Sequence, residues 1–320
     1  MSAQNQTSST VQEFIIMGFP GLRDQESRRI LFAVFLIIYI LILLGNFLLI
    51  TIFICDRSLH IPMYILICGL AVLDIVITTN TVPSMLVVFV FDSKLTPFAA
   101  CFTQTFFFLG LFSSESFLLG IMAYDRYIAI CKPLLYPTLM DNNRALKMIA
   151  CCCVGGFLIS GTVVGLALQF PFCKSNLVFQ CFCDYSSVLM LACGNYQTIS
   201  YVVLAIGMTV LSVPLIYILL TYLWIIRSVL KITSSEGRLK AFYTCGTHML
   251  VISVYFLVAA GVFISYRING TPVDMRIMGA VIQNVLPALM NPIIYCLRTK
   301  EIRDSFLKSL KNKQIIPMTS

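Results

Sequence analysis

ILFAVFLIIYILILLGNFLLITIFI (residues 30–54) runs for 25 residues without one charged side chain. A helix needs roughly 20 apolar residues to cross a bilayer, so this stretch has the length and character of a membrane span. Six further apolar stretches follow, near 62–90, 99–131, 146–170, 197–226, 241–266 and 275–297, separated by short connectors that carry most of the charge. Over the whole chain of 320 residues, 59% are hydrophobic, 11% are charged and mean hydropathy is +0.91. Soluble domains run nearer 45–50% apolar and about 25% charged. A soluble core of this length could not hide so much apolar surface, so lipid is the expected solvent. No segment alternates as a barrel strand does, which leaves a helical bundle as the spanning structure that satisfies its own backbone. The expected fold is an all-α integral membrane protein, a bundle of seven transmembrane helices forming a single domain.

The charges orient that bundle. Of 22 Lys and Arg residues, seven (Arg23, Arg28, Arg29, Lys94, Lys174, Arg267 and Arg276) fall on one side and 15 on the other. The richer side is expected to be cytoplasmic. Residues 1–29 are then an extracellular N-terminus, 30–297 the transmembrane bundle and 298–320 a cytoplasmic tail. The opening MSAQNQTSST has no basic region followed by an apolar run, so no cleavable signal peptide is expected. Glycosylation sequons at Asn5 and Asn269 both fall outside, and Asn5, further from the membrane, is the expected acceptor. Five of the 13 cysteines (Cys101, Cys173, Cys181, Cys183 and Cys193) map to the same side, where disulfides persist. The net charge of +8 would suggest nucleic acid in a soluble protein. Here it sets topology, and the lipid membrane is the expected partner rather than nucleic acid.

Several polar residues sit where apolar ones are expected. Asp125 and Arg126 close the third span: either a stop-transfer pair, with Asp125 partnering a snorkelling Arg126, or a latch that holds the arginine in one state and releases it in another. Asp74 and Glu115 are mid-span acids with no intramembrane base nearby. A lone carboxylate there costs several kcal/mol unless it is neutralised, so the alternatives are a protonated pair or a shared cation. An enzyme is not expected. The chain has only two histidines, and it shows no Ser/His/Asp set, metal cluster or phosphate-cradling glycine loop. A transporter should show repeats with broken helices in matching positions, and none is visible.

MAYDRYIAICKPLLYPTLM (122–140) together with NPIIY (291–295) resembles the rhodopsin-like, class A G-protein-coupled receptors. LHIPMYILICGLAVLDI (59–75), SSEGRLKAFYTCGTH (234–248) and LMNPIIYCLRTKEIRDSF (289–306) narrow the resemblance to the olfactory, or odorant, receptors. The likeness spans about residues 20–310. It implies a receptor that binds small odorants and activates a heterotrimeric G protein of the olfactory Gs type, raising cAMP, from the plasma membrane. Asp125, Arg126 and Tyr127 would then form the coupling motif, with Tyr222 and Tyr295 stabilising the open state and Asn291-Pro292 bending the seventh span. The likeness also implies disulfides Cys101–Cys183 and Cys173–Cys193. Sequence alone fixes no connectivity, because five cysteines leave one over. A sodium pocket would draw on Asp74, Glu115 and Asn291, with Asn46 nearby; no other cofactor is implied. The basic segment after residue 298 would be a short amphipathic eighth helix on the inner leaflet.

Carried over residue by residue, the family's ligand pocket falls on Phe108, Leu109, Phe112 and Ser113 of the third span, Asp184 of the following extracellular loop, and Ile206 and Val210 of the fifth span. The sixth span adds Phe256, Ala259, Ala260 and Phe263, and the seventh Asn284. Each could equally be plain helix packing. Phe108 stands where aminergic receptors carry an aspartate, which argues against a monoamine ligand. Arg267, about eleven residues and three turns beyond Phe256, is either an interfacial anchor or a clamp for carboxylate-bearing odorants. Three departures from the family pattern stand out: Cys153 replaces a tryptophan, Tyr255-Phe256-Leu257 replaces Phe-Tyr-Gly, and Ile61 stands where one olfactory class has glutamate.

Overall fold

A computed structural model of the chain describes residues 11–22, 24–231, 235–265, 268 and 270–314. Side chains are described for all of these except 235–237, 239–244, 263, 298 and 309–314. Asn5, Arg267 and Asn269, and the side chain of Phe263, lie outside the described residues.

Seven long helices have the length and hydropathy to cross a membrane. They are α1 (Gln25–Cys55), α2 (Pro62–Phe91), α3 (Phe98–Cys131), α5 (Asn142–Ala167), α7 (Gln197–Val229), α8 (Ser235–Ser265) and α9 (Val273–Arg298). The short helices α4 (Tyr136–Leu139) and α6 (Tyr185–Leu189) lie in connectors, and α10 (Lys300–Gln314) follows the bundle. Helix starts are set by local chemistry. Asp24 caps α1 by accepting from the Ser27 amide at 2.7 Å, and bonds from the Ser27 side chain and then its amide lower the pKa of the Asp24 carboxyl. Asp141 caps α5 the same way through Arg144, and Pro62 opens α2, where its missing N–H costs nothing. With that cap α1 begins at Gln25 rather than near residue 30, and α8 begins at Ser235 rather than near 241. Polar first turns extend a helix past the apolar stretch that sequence reading detects.

Burial sorts the helices. In its most apolar window α3 is 72% buried, whereas α1 and α7 are each 22% buried and present residues such as Leu44 and Leu223 outward, toward lipid. α3 is therefore the central strut. α5 packs closely along it: a Cβ on Gly156 would strike the Gly110 carbonyl and the Ser114 backbone nitrogen. Small residues that let backbones approach are how helices associate where lipid is as apolar as leucine.

Strands appear at one end. β1 (Glu13–Ile16) runs antiparallel to β2 (Lys94–Pro97), Ile15 opposite Leu95, and parallel to β3 (Leu177–Val178), Ile16 opposite Val178, in the order β2-β1-β3. Phe14 and Ile16 are fully buried, and the Phe14 ring lies 5.6 Å from Phe98 and 6.0 Å from Phe172. Part of the expected N-terminal tail is thus stitched into the bundle. At the other end Asp56 accepts from the Ser58 amide and hydroxyl, bonds that together with one from Ser305 of α10 hold its pKa at about 2. Ile302 and Ser305 are buried, seating α10 against the bundle.

Candidate functional site

At the α10 end, α3 brings Asp125 and Arg126 to a buried position, 2% and 7% exposed. The two make no ion-pair contact with each other, although the sequence suggests they would; among the described residues such a contact joins Arg28 to Asp92. Asp125 Oδ1 instead accepts from the Tyr136 hydroxyl of α4 at 2.9 Å, and Arg126 donates to the Met63 sulfur of α2. Adjacent residues on a helix point about 100° apart, so each finds a partner on a different neighbour. Tyr127 is half-buried with Lys132 over its ring at 5.7 Å. Tyr222 of α7 bonds His248 Nδ1 of α8 at 2.8 Å, while His248 Nε2 and the Tyr295 hydroxyl are buried with no partner among the described residues. Met63, Tyr136 and His248 lie inside the motif stretches, but nothing in their spacing says that they meet Arg126, Asp125 and Tyr222.

Mid-bundle, Asp74 and Glu115 are 1% and 4% exposed, with Glu115 within electrostatic reach of Asp74. Asn291 Nδ2 donates to Asp74 Oδ2 at 2.9 Å. Asn46 donates to the carbonyls of Ile42 and Ala288, both at 3.0 Å, tying α1 to α9; its Oδ1 is buried with no partner among the described residues. Pro292 packs against Gly45, where a Cβ would come within 3.0 Å of the ring. Among the described residues no group of three or more His, Cys, Asp or Glu side chains gathers. The polar side chains buried here, Asp74, Glu115, Asn291 and Asn46, all carry oxygens, the donors that suit a hard cation.

At the sheet end, the structure bonds Cys101 to Cys183 and Cys173 to Cys193, with Cα–Cα distances of 5.3 and 5.8 Å. Polar bonds reinforce the first. Gln104 Oε1 accepts from the Cys183 amide at 2.9 Å, and Thr105 donates to the Cys183 carbonyl at 3.0 Å. Cys181 is a buried free thiol whose pKa burial pushes up, so it is inert rather than poised.

Under this loop lies a cavity of about 360 Å³. Phe108, Leu109, Phe112, Ser113, Asp184, Ile206 and Val210 line it. Phe256, Ala259, Ala260 and Asn284 do not. The reason is Tyr255, the hydroxyl displaced by one position in the sequence. It donates to the Phe112 carbonyl at 2.8 Å and stacks on that ring at 5.0 Å, closing α8 onto α3. Phe256 and Ala259 are buried, Phe256 packing edge-on to Tyr255, while Ala260, one residue further round the helix, is exposed. Asn284 is held by a bond to Thr81 of α2. The space opens instead toward α5, through Ile159 and Val163, and along α7, through Ser200, Val203 and Gly207. Sequence reading passed over the α5 wall because its residues look like ordinary helix packing. Tyr185 also lines the cavity; its hydroxyl is buried with no partner among the described residues, and burial pushes its pKa up to about 12, so it stays protonated.

Comparison with known proteins closes the identification. The olfactory receptor family pattern matches residues 35–313. Human olfactory receptor 10R2 is 40% identical over 97% of this chain and 91% of its own. Human olfactory receptor 11H6 is 36% identical over 97% of this chain and 93% of its own. The crystal structure of squid rhodopsin superposes with a TM-score of 0.71 at 16% identity, covering 91% of this chain and 87% of that one, a likeness of fold. Seven spans and a match along nearly the whole chain admit one conclusion: the chain belongs to the olfactory receptor family, as an odorant-sensing, rhodopsin-like G-protein-coupled receptor of the plasma membrane and not an enzyme.

Proposed function

We propose that odorants bind in the cavity between α3, α5 and α7, and that Arg126 at the opposite end engages a Gs-type protein and raises cAMP. The observation that supports this best is the pairing of a largely apolar cavity, of a size that suits small ligands, with a buried arginine at the far end of the same central helix. In this reading the sheet end faces outside, Arg126 faces the cytoplasm, and α10 lies on the inner leaflet. Tyr222 and Tyr295 then support an opened state, with Asn291-Pro292 as the bend in α9. A cAMP reporter assay in receptor-expressing cells, run with an odorant panel, tests the reading; uptake of a labelled compound without cAMP would sink it.

Two finer assignments belong to it. Asp74, Glu115 and Asn291 hold a sodium ion that acts allosterically; the buried, oxygen-only donor set supports this, and Asn46 offers a further oxygen. Carboxylate-bearing odorants form the ligand class suggested by Arg267, a residue outside the described part of the structure. The described cavity wall itself carries no Lys, Arg or His. Comparing acids with their methyl esters on wild type and Arg267→Ala tests the clamp, and equal potency of acid and ester in wild type would reduce Arg267 to an anchor. Asn5 is the proposed glycosylation site, tested by a mobility shift on deglycosylation.

A further inference from the structure

A described cation does stand at the edge of the cavity. Lys174 is an exposed loop residue whose Nζ donates to the Met190 carbonyl at 3.3 Å and lies 4.5 Å from the centroid of the Tyr196 ring. Both partners line the cavity: Met190 ends α6, and Tyr196 caps the start of α7. Lys174 therefore ties two walls of the cavity across the gap between them. Its own position is fixed by its neighbours. Cys173 is bonded to Cys193, the Cys193 amide donates to the Pro171 carbonyl at 2.8 Å, and Phe172 bridges to Ala192. The ammonium is thus held at this rim by a short cross-linked loop rather than trailing freely in solvent.

Polarity divides the space below. Phe108, Phe112, Val210 and Val262 supply apolar wall. The charged side chain among the described lining residues is Asp184, and its carboxylate caps α6 by accepting from the Ser187 amide at 3.1 Å and hydroxyl at 3.3 Å. An acid within the wall and a base at the rim would orient an anionic amphiphile one way, tail inward and head at Lys174.

We propose that Lys174 is the entrance latch of the cavity and recognises the carboxylate of a medium-chain acid. An incoming carboxylate displaces the Met190 carbonyl, held at 3.3 Å, as acceptor, because it sets a full negative charge against the ammonium where the carbonyl offers only a dipole. The Tyr196 ring keeps hold of the ammonium throughout. Releasing Met190 frees α6 from the start of α7, so recognition and entry are one event. The inference rests on the cavity being the odorant site, and it does not depend on Arg267.

The test is a set of cAMP dose-response curves for pentanoic to decanoic acids and their methyl esters, with surface immunolabelling of every variant. Lys174→Gln is expected to weaken the acids roughly five- to tenfold, the range between an exposed ion pair and a charged hydrogen bond. Esters should change by less than about twofold. Lys174→Arg should retain the acid preference, and Lys174→Glu should weaken acids further than Lys174→Gln. Gly207→Trp, which fills the wall of the cavity, should eliminate both responses. If Gly207→Trp reaches the surface and responds as wild type, the cavity assignment fails. If Gly207→Trp is silent but Lys174→Gln shifts acids and esters alike, the latch alone fails. A panel in which no acid activates the wild type, or in which esters outperform acids, also overturns it. Should Lys174→Gln not reach the surface, Tyr196→Leu must lower the acid-to-ester ratio in the same direction, and an unchanged ratio overturns the latch.

Discussion

The two ends of this bundle are held together by different kinds of bond. At the sheet end, two disulfides, a three-stranded ladder and a cluster of phenylalanines fix the loop and the N-terminal strand. At the Arg126 end, helices meet through single side-chain contacts: Tyr136 to Asp125, Arg126 to Met63, Tyr222 to His248. Each such bond is worth about 1 kcal/mol net, and two buried polar atoms nearby, His248 Nε2 and the Tyr295 hydroxyl, have no partner among the described residues. A covalent, laddered end resists rearrangement. An end built from individually weak bonds can exchange one set of partners for another. The difference teaches where a signal can be received and where it can be turned into motion.

Breaking the rigid end should have the largest effect. Cys101→Ser opens a loop closed across 82 residues and Cys173→Ser one closed across 20. Loop-closure entropy puts the losses at about 4.5 and about 3 kcal/mol respectively. Surface labelling should therefore fall further for Cys101→Ser than for Cys173→Ser; the reverse order would mean that the loop, not the α3 anchor, carries the stability.

Breaking the other end should cost function and spare folding. Arg126→Ala is expected to reach the surface and lose odorant-driven cAMP altogether, and normal signalling from a well-expressed variant would remove Arg126 from the coupling role. Tyr136→Phe, which deletes one hydrogen bond of about 1 kcal/mol, should shift basal cAMP by up to about fivefold without lowering surface labelling. The middle of the bundle sharpens the contrast. Asp74→Asn and Glu115→Gln should each abolish any effect of sodium on agonist potency, and sodium titrations that shift wild type and both variants equally would exclude a shared ion. The smallest change expected is Tyr255→Phe, which keeps the ring stacked on Phe112 and removes only the bond to its carbonyl. Odorant potency should move by a fewfold as α8 loosens from α3, and unchanged potency would mean that stacking alone closes the gap.

The seven spans were legible in the sequence because a bilayer imposes a length and a polarity on every helix independently of its neighbours. The family was legible because motif stretches such as MAYDRYIAIC and NPIIY are local, and local order survives in a string. Helix starts at Gln25 and Ser235 were less so, because polar first turns look like connector until a cap such as Asp24 is seen accepting its bond. The site was readable only in part. Phe108, Phe112 and Val210 could be named from the family pattern, but the wall from α5 and the displacement of Phe256 and Asn284 required three dimensions. The moved hydroxyl of Tyr255 was visible as a departure; that it would reach the Phe112 backbone, 143 residues away, was not. Asp125 and Arg126 are adjacent in sequence and invite pairing, yet the helix turns them to Tyr136 and Met63. The sequence by itself determined that this chain crosses a membrane seven times and which family it joins, because those properties are set one segment at a time. Only the tertiary structure decided which side chains meet, because hydrogen bonds and cavities depend on distances between segments that no one-dimensional pattern records.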